Sequence, residues 1–418
     1  MRITRRCTVV LFLVATYPLS QSVQSPPDAA QNRAVRAKVN LESWDDGGNI
    51  SHWVYLHSTE VFPSAIVRRG GQAREMPVHL RPEIGDFDLK EEKGATLLRD
   101  YVNHSAVDGF IIVYKGVVVY EQYPRMSPSD SHLAFSVTKA FVGTALGMME
   151  AGGKVDLDRP IEHYLPEFAD SAWAGTRVRD IADMASGMEG VEDSPDAYTN
   201  PVHKQFQLEA SLGWQPLSES LPAAARSGET YELLTTYKRI RKPGEQQAYT
   251  SSNTEVLADL LERVSGKPLA TVISELMWSR IGAEHDADLL INSKGYPIAH
   301  AGMVMTLRDL ARFGMFFTAS GKSNPQGGVP AAFLERLLKP RTPPLQTGRQ
   351  PSWFSHSSYQ WDAVSKFGQI AKGGFAEQLL LVDTKRDVVI AYFGTNENNQ
   401  SMPHPLPLVT LIERYFSN

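Results

Sequence analysis

Ser136 and Lys139 stand three residues apart in FSVTKAFVGTALGMMEAGG, a stretch beginning at Phe135 that is apolar on nearly every side up to Glu150. At that spacing on a helix, a hydroxyl and an amine share a face and can touch. A lysine is the wrong charge for a first helical turn, where the dipole is positive and a capping box would place Glu or Gln. Apolar surroundings disfavour the ammonium further, so the pKa of this amine is expected to fall from the ordinary value of about 10.4. A free amine beside a serine is a base beside a nucleophile. Ser-x-x-Lys also arises by chance about once or twice in a chain of this length. A capping serine with a lysine reaching out to solvent accounts for the pattern equally well.

One amine cannot easily both take the serine proton and see a leaving group protonated, so a second group is needed. In KPGEQQAYTSSNTEVLADLLERVSG, Ser252 and Glu255 have capping-box spacing ahead of an amphipathic helix ending near Gly266. Tyr249 then falls in the loop before that helix, from which a phenol can project into a cleft or pack into the core. Further on, Lys372-Gly373-Gly374 precedes a β-rich run. Two glycines let the backbone approach a substrate closely and the lysine can meet an anion, although a glycine bulge on an edge strand has the same signature.

These groups need a scaffold. GFIIVYKGVVVYEQY reads as a hairpin turning at Lys115-Gly116, and QLLLVDTKRDVVIAYF as another near the C-terminus. Helices broken by Pro and Gly loops fill 135–341, and PLVTLIERYF closes the chain as a helix. Strands at both ends with helices between them predict an α+β fold, one antiparallel sheet flanked by helices and carrying an all-helical insertion. The loops Ser320–Pro330 and Pro340–Pro351 are expected to be exposed.

The N-terminus has three arginines, an apolar run from Cys7 to about Leu19, and small residues at Ser20 and Ser22. That run is shorter than a membrane span, so 1–22 reads as a cleaved signal peptide and the protein as secreted, periplasmic in the leading case. Residues 23–100 then form a leader, loose over Val23–Lys38, and an N-terminal arm whose Trp44, Trp53 and Tyr55 suggest that it packs onto something; the main domain is 101–418. Cys7 is the single cysteine, leaving the mature chain no disulfide, thiol nucleophile or cysteine ligand. A net charge of −5, with 42% apolar and 21% charged residues, favours neither nucleic acid nor an anionic membrane as partner. Gly-x-Ser-x-Gly, His-Glu-x-x-His and a Rossmann fingerprint are absent. The histidines, His163, His203, His285 and His300 among them, are scattered and read as surface or supporting residues. No metal and no cofactor are expected, and the oligomeric state is not legible.

With Ser-Val-Thr-Lys at 136–139, Tyr-Thr-Ser at 249–251 and Lys-Gly-Gly at 372–374 in this order, the chain resembles the serine β-lactamase and penicillin-recognising family. The resemblance is to its class C branch, with the class VIII carboxylesterases and 6-aminohexanoate-dimer (nylon oligomer) hydrolases. YLPEF, VRDIADMASGMEG and MTLRDLARFG look like further stretches of this group, and Trp53–Gly71 looks like the N-terminal arm of the nylon-oligomer hydrolases. The resemblance implies a β-lactamase/transpeptidase-like fold from about Asp108 onward. It implies Ser136 as the acylated nucleophile, Lys139 as its proton acceptor and Tyr249 as the proton shuttle, with an oxyanion hole from the N–H groups of Ser136 and Phe375.

Departures from the family bear on substrate. Ser251 stands where β-lactamases have Asn, as in the esterase and amidase branch, whereas Lys372 is retained where carboxylesterases often have Trp or His. Glu377 replaces a frequent Gly and could reshape the strand or add a carboxylate to the cleft. The excursion Glu192–Trp214 corresponds loosely to a substrate-covering loop, so Tyr198 or Trp214 could close over a substrate or be incidental surface aromatics; Glu192 and Asp193 are expected to be solvated. Ser251, Lys372, Gly373, Gly374, Tyr198 and Trp214 are thus the candidate substrate contacts. The leading expectation is a secreted serine hydrolase cleaving small carboxylic esters or linear amides. A β-lactamase or D-alanyl-D-alanine carboxypeptidase is the first alternative, and a non-catalytic penicillin-binding-like module the second.

Overall fold

The computed structural model describes residues 29–89, 97–103, 106–323, 327–342, 344–346, 353–396 and 406–416. The expected signal peptide lies outside these residues, as do parts of the two expected exposed loops.

Eleven strands are present among the described residues: β1 (Ser64–Val67), β2 (Val107–Tyr114), β3 (Val117–Gln122), β4 (Ser131–Leu133), β5 (Ala287–Leu290), β6 (Met303–Thr306), β7 (Phe354–Ser358), β8 (Trp361–Ser365), β9 (Gln369–Gly374), β10 (Gln378–Asp383) and β11 (Val388–Gly394). Seven form one antiparallel sheet in the order β3-β2-β11-β10-β9-β8-β7. The expected hairpin β2–β3 turns at Lys115 and Gly116, both at positive φ (50° and 78°), the geometry a two-residue hairpin needs to match strand twist.

The expected single sheet is corrected to two. The second, in the order β1-β5-β6-β4, is built from strands of three or four residues, too short to leave a periodic signal.

The large sheet is buried on both faces, which explains the unbroken apolar run FIIVY. Ile111 and Val113 join Leu380, Val382 and Val389 on one side; Phe110 and Ile112 join Leu379, Leu381 and Ile390 on the other. The second face is covered by the C-terminal helix Leu406–Tyr415 through Leu408, Val409, Leu411 and Ile412. The first carries the helical region, including helices α1 (Thr138–Ala151), α2 (Ser252–Ser265) and α3 (Leu307–Met315). α1 ends as expected, with Gly153 left-handed (φ 70°) and the Lys154 N–H returning to the Met149 carbonyl. Within it, Gly143 admits a close crossing: a Cβ there would lie 1.8 Å from the Tyr359 carbonyl oxygen.

The arm is part of the same core. From Ala29 the expected loose leader is helical as far as Arg36, which pairs with Glu60 at 3.2 Å. Trp44, Trp53 and Tyr55 are buried against the main domain. Among the described residues no helix is long and apolar enough to cross a membrane.

Candidate active site

Ser136 lies where β4 hands the chain to α1. Phe135, just before it, has φ 44°, a left-handed conformation that costs a bulky residue on the order of 1–3 kcal/mol. Four aromatic rings hold it there: Trp44 stacked at 6.1 Å, and Tyr55, Trp214 and Phe375 edge-on at 4.8, 6.2 and 5.5 Å. The strained residue turns Ser136 to half-exposed while Phe135 and Val137 on either side are buried. Thr138 anchors the helix start, its hydroxyl accepting the Met303 N–H at 3.0 Å.

Lys139 is fully buried. Its Nζ donates to Ser136 Oγ at 2.9 Å and to the His300 carbonyl at 3.2 Å, and stands 4.9 Å from the Tyr249 ring centre. Burial pushes its pKa down to about 8, assisted by the Lys372 charge and opposed chiefly by Glu192. The expected fall in pKa is therefore present, and burial is its main cause.

Tyr249 does precede α2, but for a different reason from the one expected. Ser251 is the residue flanking the helix and makes no capping bond through its side chain. Glu255 is no capping acid: its carboxylate is fully buried and accepts from the His300 backbone N–H at 2.9 Å. The phenol of Tyr249 is pushed well above its usual pKa by burial and by the charges of Asp362 and Glu192, so it rests neutral; a hydrogen-bonding contribution from Ser136 pulls the other way. Lys372 Nζ donates to the phenol oxygen at 3.0 Å.

Lys372 corrects an expectation. It is buried and ion-paired with Asp362, so it does not stand free to meet an anion. The other Asp362 oxygen accepts the Gly373 N–H at 2.9 Å. Gly374 packs onto the nucleophile segment, where a Cβ would meet the Ala134 carbonyl oxygen at 2.8 Å; its smallness serves that backbone contact. Ser251 is fully buried, its backbone N–H donates to Glu192 at 2.6 Å, and it is not among the residues lining the pocket on Ser136. Glu192, expected in solvent, instead bridges inward, accepting also from the Tyr198 hydroxyl.

A pocket of about 420 Å³ opens on Ser136. Trp44, Phe135, Trp214 and Phe375 line it, as does Tyr198, 44% exposed. The acids Glu42, Asp45, Asp46 and Glu209 line the same pocket. Glu209, on the helix Lys204–Ser211, accepts from Gln205 at 2.9 Å and pairs with His300 Nε2 at 3.1 Å through one oxygen. Its second oxygen and the Trp214 indole N–H, both buried, have no hydrogen-bond partner among the described residues. His300 Nδ1 lies 2.6 Å from Glu255. Burial opposes charge on this imidazole, but Glu209 and the two carboxylate hydrogen bonds outweigh it and raise its pKa to about 9. Burial, reinforced by Glu209 and Asp46, pushes Asp45 up to about 7.

The β9–β10 turn carries Phe375. Ala376 and Glu377 both have positive φ (59° and 78°), and Gln378 clamps them. Its buried carboxamide donates to the carbonyls of Phe375, Ala376 and Gly394 at 3.0, 3.0 and 2.7 Å and accepts the Gly394 N–H at 3.1 Å. Glu377 thus contributes to a strained turn and does not line the pocket. Ser136 and Phe375, the two residues expected to form an oxyanion hole, both line this pocket.

Asp45, Glu209, Glu255, His300, Asp362 and Gln378 were not singled out from the sequence as site residues. Glu255 was visible only as capping-box spacing, and nothing local marks the others, because each reaches the site from a different element.

The chain has counterparts among known proteins. The chain is 28% identical over 362 residues to a 6-aminohexanoate-dimer hydrolase from Paenarthrobacter ureafaciens, covering 85% of this chain and 88% of that one. It is 26% identical over 208 residues to a D-aminopeptidase from Brucella anthropi, covering 44% and 35%. A Bacillus anthracis structure named for 6-aminohexanoate-dimer hydrolase superposes with a TM-score of 0.77 at 23% identity, over 91% of this chain and 96% of that one, showing a shared fold. Residues 95–412 match the Beta-lactamase family model, so the hydroxyl–amine–phenol cluster sits on the family's own scaffold and the chain belongs to that family of hydrolases.

Proposed function

We propose that this protein hydrolyses linear amides, and esters of similar shape, through an acyl-enzyme on Ser136. Support comes first from the buried Lys139 amine, 2.9 Å from Ser136 Oγ with its pKa brought down to about 8. In its neutral form Lys139 takes the Ser136 proton as Oγ adds to the carbonyl carbon, and the N–H groups of Ser136 and Phe375 receive the oxyanion. Tyr249, a neutral phenol in contact with Lys372, gives its proton to the departing nitrogen and is reprotonated from the Lys139 ammonium. Water then repeats the addition on the ester of Ser136, releasing the acid and restoring the serine.

The acids lining the pocket favour a substrate bearing an amino group. A primary ammonium can meet the unpaired oxygen of Glu209 with Asp45 nearby, while the unpaired Trp214 N–H offers a donor to an amide carbonyl. The relatives named for 6-aminohexanoate dimer and for aminopeptidase activity are in keeping with this chemistry. The N-terminal pattern of residues 1–22 further supports export of the protein.

The test is a matched pair of linear amides, one with a terminal amino group and one with methyl in its place. Purified protein should hydrolyse the amino compound with the higher kcat/KM, and a fluorophosphonate should label Ser136 by mass. Absence of labelling, or loss of no activity in Ser136→Ala, would refute the mechanism.

A further inference from the structure

β8 and β9 pair with Ala363 opposite Ala371 and Val364 opposite Ile370; one step further in this register, Asp362 faces Lys372 directly. The cross-strand pair is tight. One Asp362 oxygen contacts the Lys372 ammonium and the other takes the Gly373 N–H at 2.9 Å. Lys372 itself is fully buried, whereas the Asp362 side chain remains about one-third exposed. An ammonium in this position, 3.0 Å from the Tyr249 hydroxyl, lies on the side from which the leaving group is protonated. Unpaired, it would attract a carboxylate carried by the leaving group. Paired, it has no net charge to offer to an incoming carboxylate.

Given Ser136 as nucleophile, as proposed above, we propose that Asp362 is a specificity-determining residue. By holding Lys372 across the β8–β9 ladder, it closes that ammonium to a substrate carboxylate carried close to the scissile bond on the leaving side. The enzyme is thereby directed to amides and esters with no carboxylate close to the scissile bond on the leaving side; a carboxylate at the far end of a flexible chain, as in a 6-aminohexanoate dimer, is not the class excluded. The device is a carboxylate of the protein's own, held on the ammonium that a substrate carboxylate would otherwise use, set against one substrate class.

The experiment compares phenyl and m-carboxyphenyl esters of one acyl group, with kcat/KM measured at pH 7 for each. Wild-type protein should favour the neutral ester. Asp362→Asn should shift the ratio toward the carboxyphenyl ester by at least tenfold, Asp362→Glu should keep the wild-type ratio, and Asp362→Asn combined with Lys372→Met should lose the gain. Any damage to proton transfer through Tyr249 affects both esters, so the ratio isolates the specificity effect. An unchanged ratio in a folded Asp362→Asn protein, judged by its melting curve, overturns the inference. If neither ester is turned over by any variant, the hydrolytic mechanism fails and this inference is decided by binding. Calorimetry with m-hydroxybenzoate should then show at least tenfold tighter binding to Asp362→Asn than to wild type, and equal affinities overturn it.

Discussion

Replacing Lys139 by arginine puts a permanent cation where a titrating amine stands and tests the central physical step. Bringing an amine from 10.5 to about 8 destabilises its ammonium by roughly 3 kcal/mol, since each unit is worth about 1.4 kcal/mol. At pH 7 about one Lys139 in ten is then free base, against about one in three thousand for an unperturbed lysine, roughly a 300-fold gain in competent enzyme. Arginine stays protonated and cannot take the Ser136 proton, so kcat/KM should fall about 10²- to 10⁴-fold, the usual worth of a positioned base. The assay is stopped-flow acylation by a p-nitrophenyl ester between pH 5.5 and 10, with melting curves on both proteins. Because the base must be neutral to act, kcat/KM for wild type should climb with pH and level off above about 8. A profile flat from pH 6 to 10, or a folded Lys139→Arg protein keeping more than about a tenth of wild-type activity, would refute the reasoning.

Glu209→Gln should raise KM for an amino-terminated amide about tenfold or more and leave its methyl analogue within about twofold, as removal of one partner of a charge pair predicts. Asp45, pushed up to about 7, is a carboxylate above that pH, so KM for the amino substrate should fall between pH 6 and 8. This dependence should vanish in Asp45→Asn. Gln378→Ala removes the clamp on the Phe375 turn and should lower kcat about 10- to 100-fold, with a parallel loss of affinity for a boronic acid that mimics the tetrahedral intermediate. Loss of thermal stability with unchanged boronate affinity would instead show a purely structural role. Gly143→Ala forces a methyl to within 1.8 Å of the Tyr359 carbonyl oxygen and should destabilise by more than about 1–3 kcal/mol, read as a melting temperature lowered by several degrees.

Much of the scaffold was legible because its signals are local. The Lys115-Gly116 turn, the β10–β11 hairpin and the C-terminal helix 406–415 follow from turn chemistry and periodicity. The second sheet was not legible, since a three-residue strand such as Ser131–Leu133 carries no period and is defined by its partner Met303–Thr306. Glu255 was misread for a related reason: spacing suited it to a cap, but the buried His300 backbone N–H and imidazole compete for the same carboxylate.

The sequence by itself determined which residues could do chemistry. The spacing of Ser136 and Lys139 lets a hydroxyl and an amine meet on one helix face, but it left a buried amine and a lysine reaching out to solvent equally open. Only the tertiary structure decided what surrounds them. Lys372 looked like a free anion contact until the strand register set Asp362 opposite it, and Glu192 looked solvated until Ser251 and Tyr198 folded over it. Trp44 and Asp45 became pocket walls because the arm crosses to Phe135. Local spacing governs neighbours on one element, whereas charge compensation and cavity shape come from residues far apart in the chain, brought together by packing.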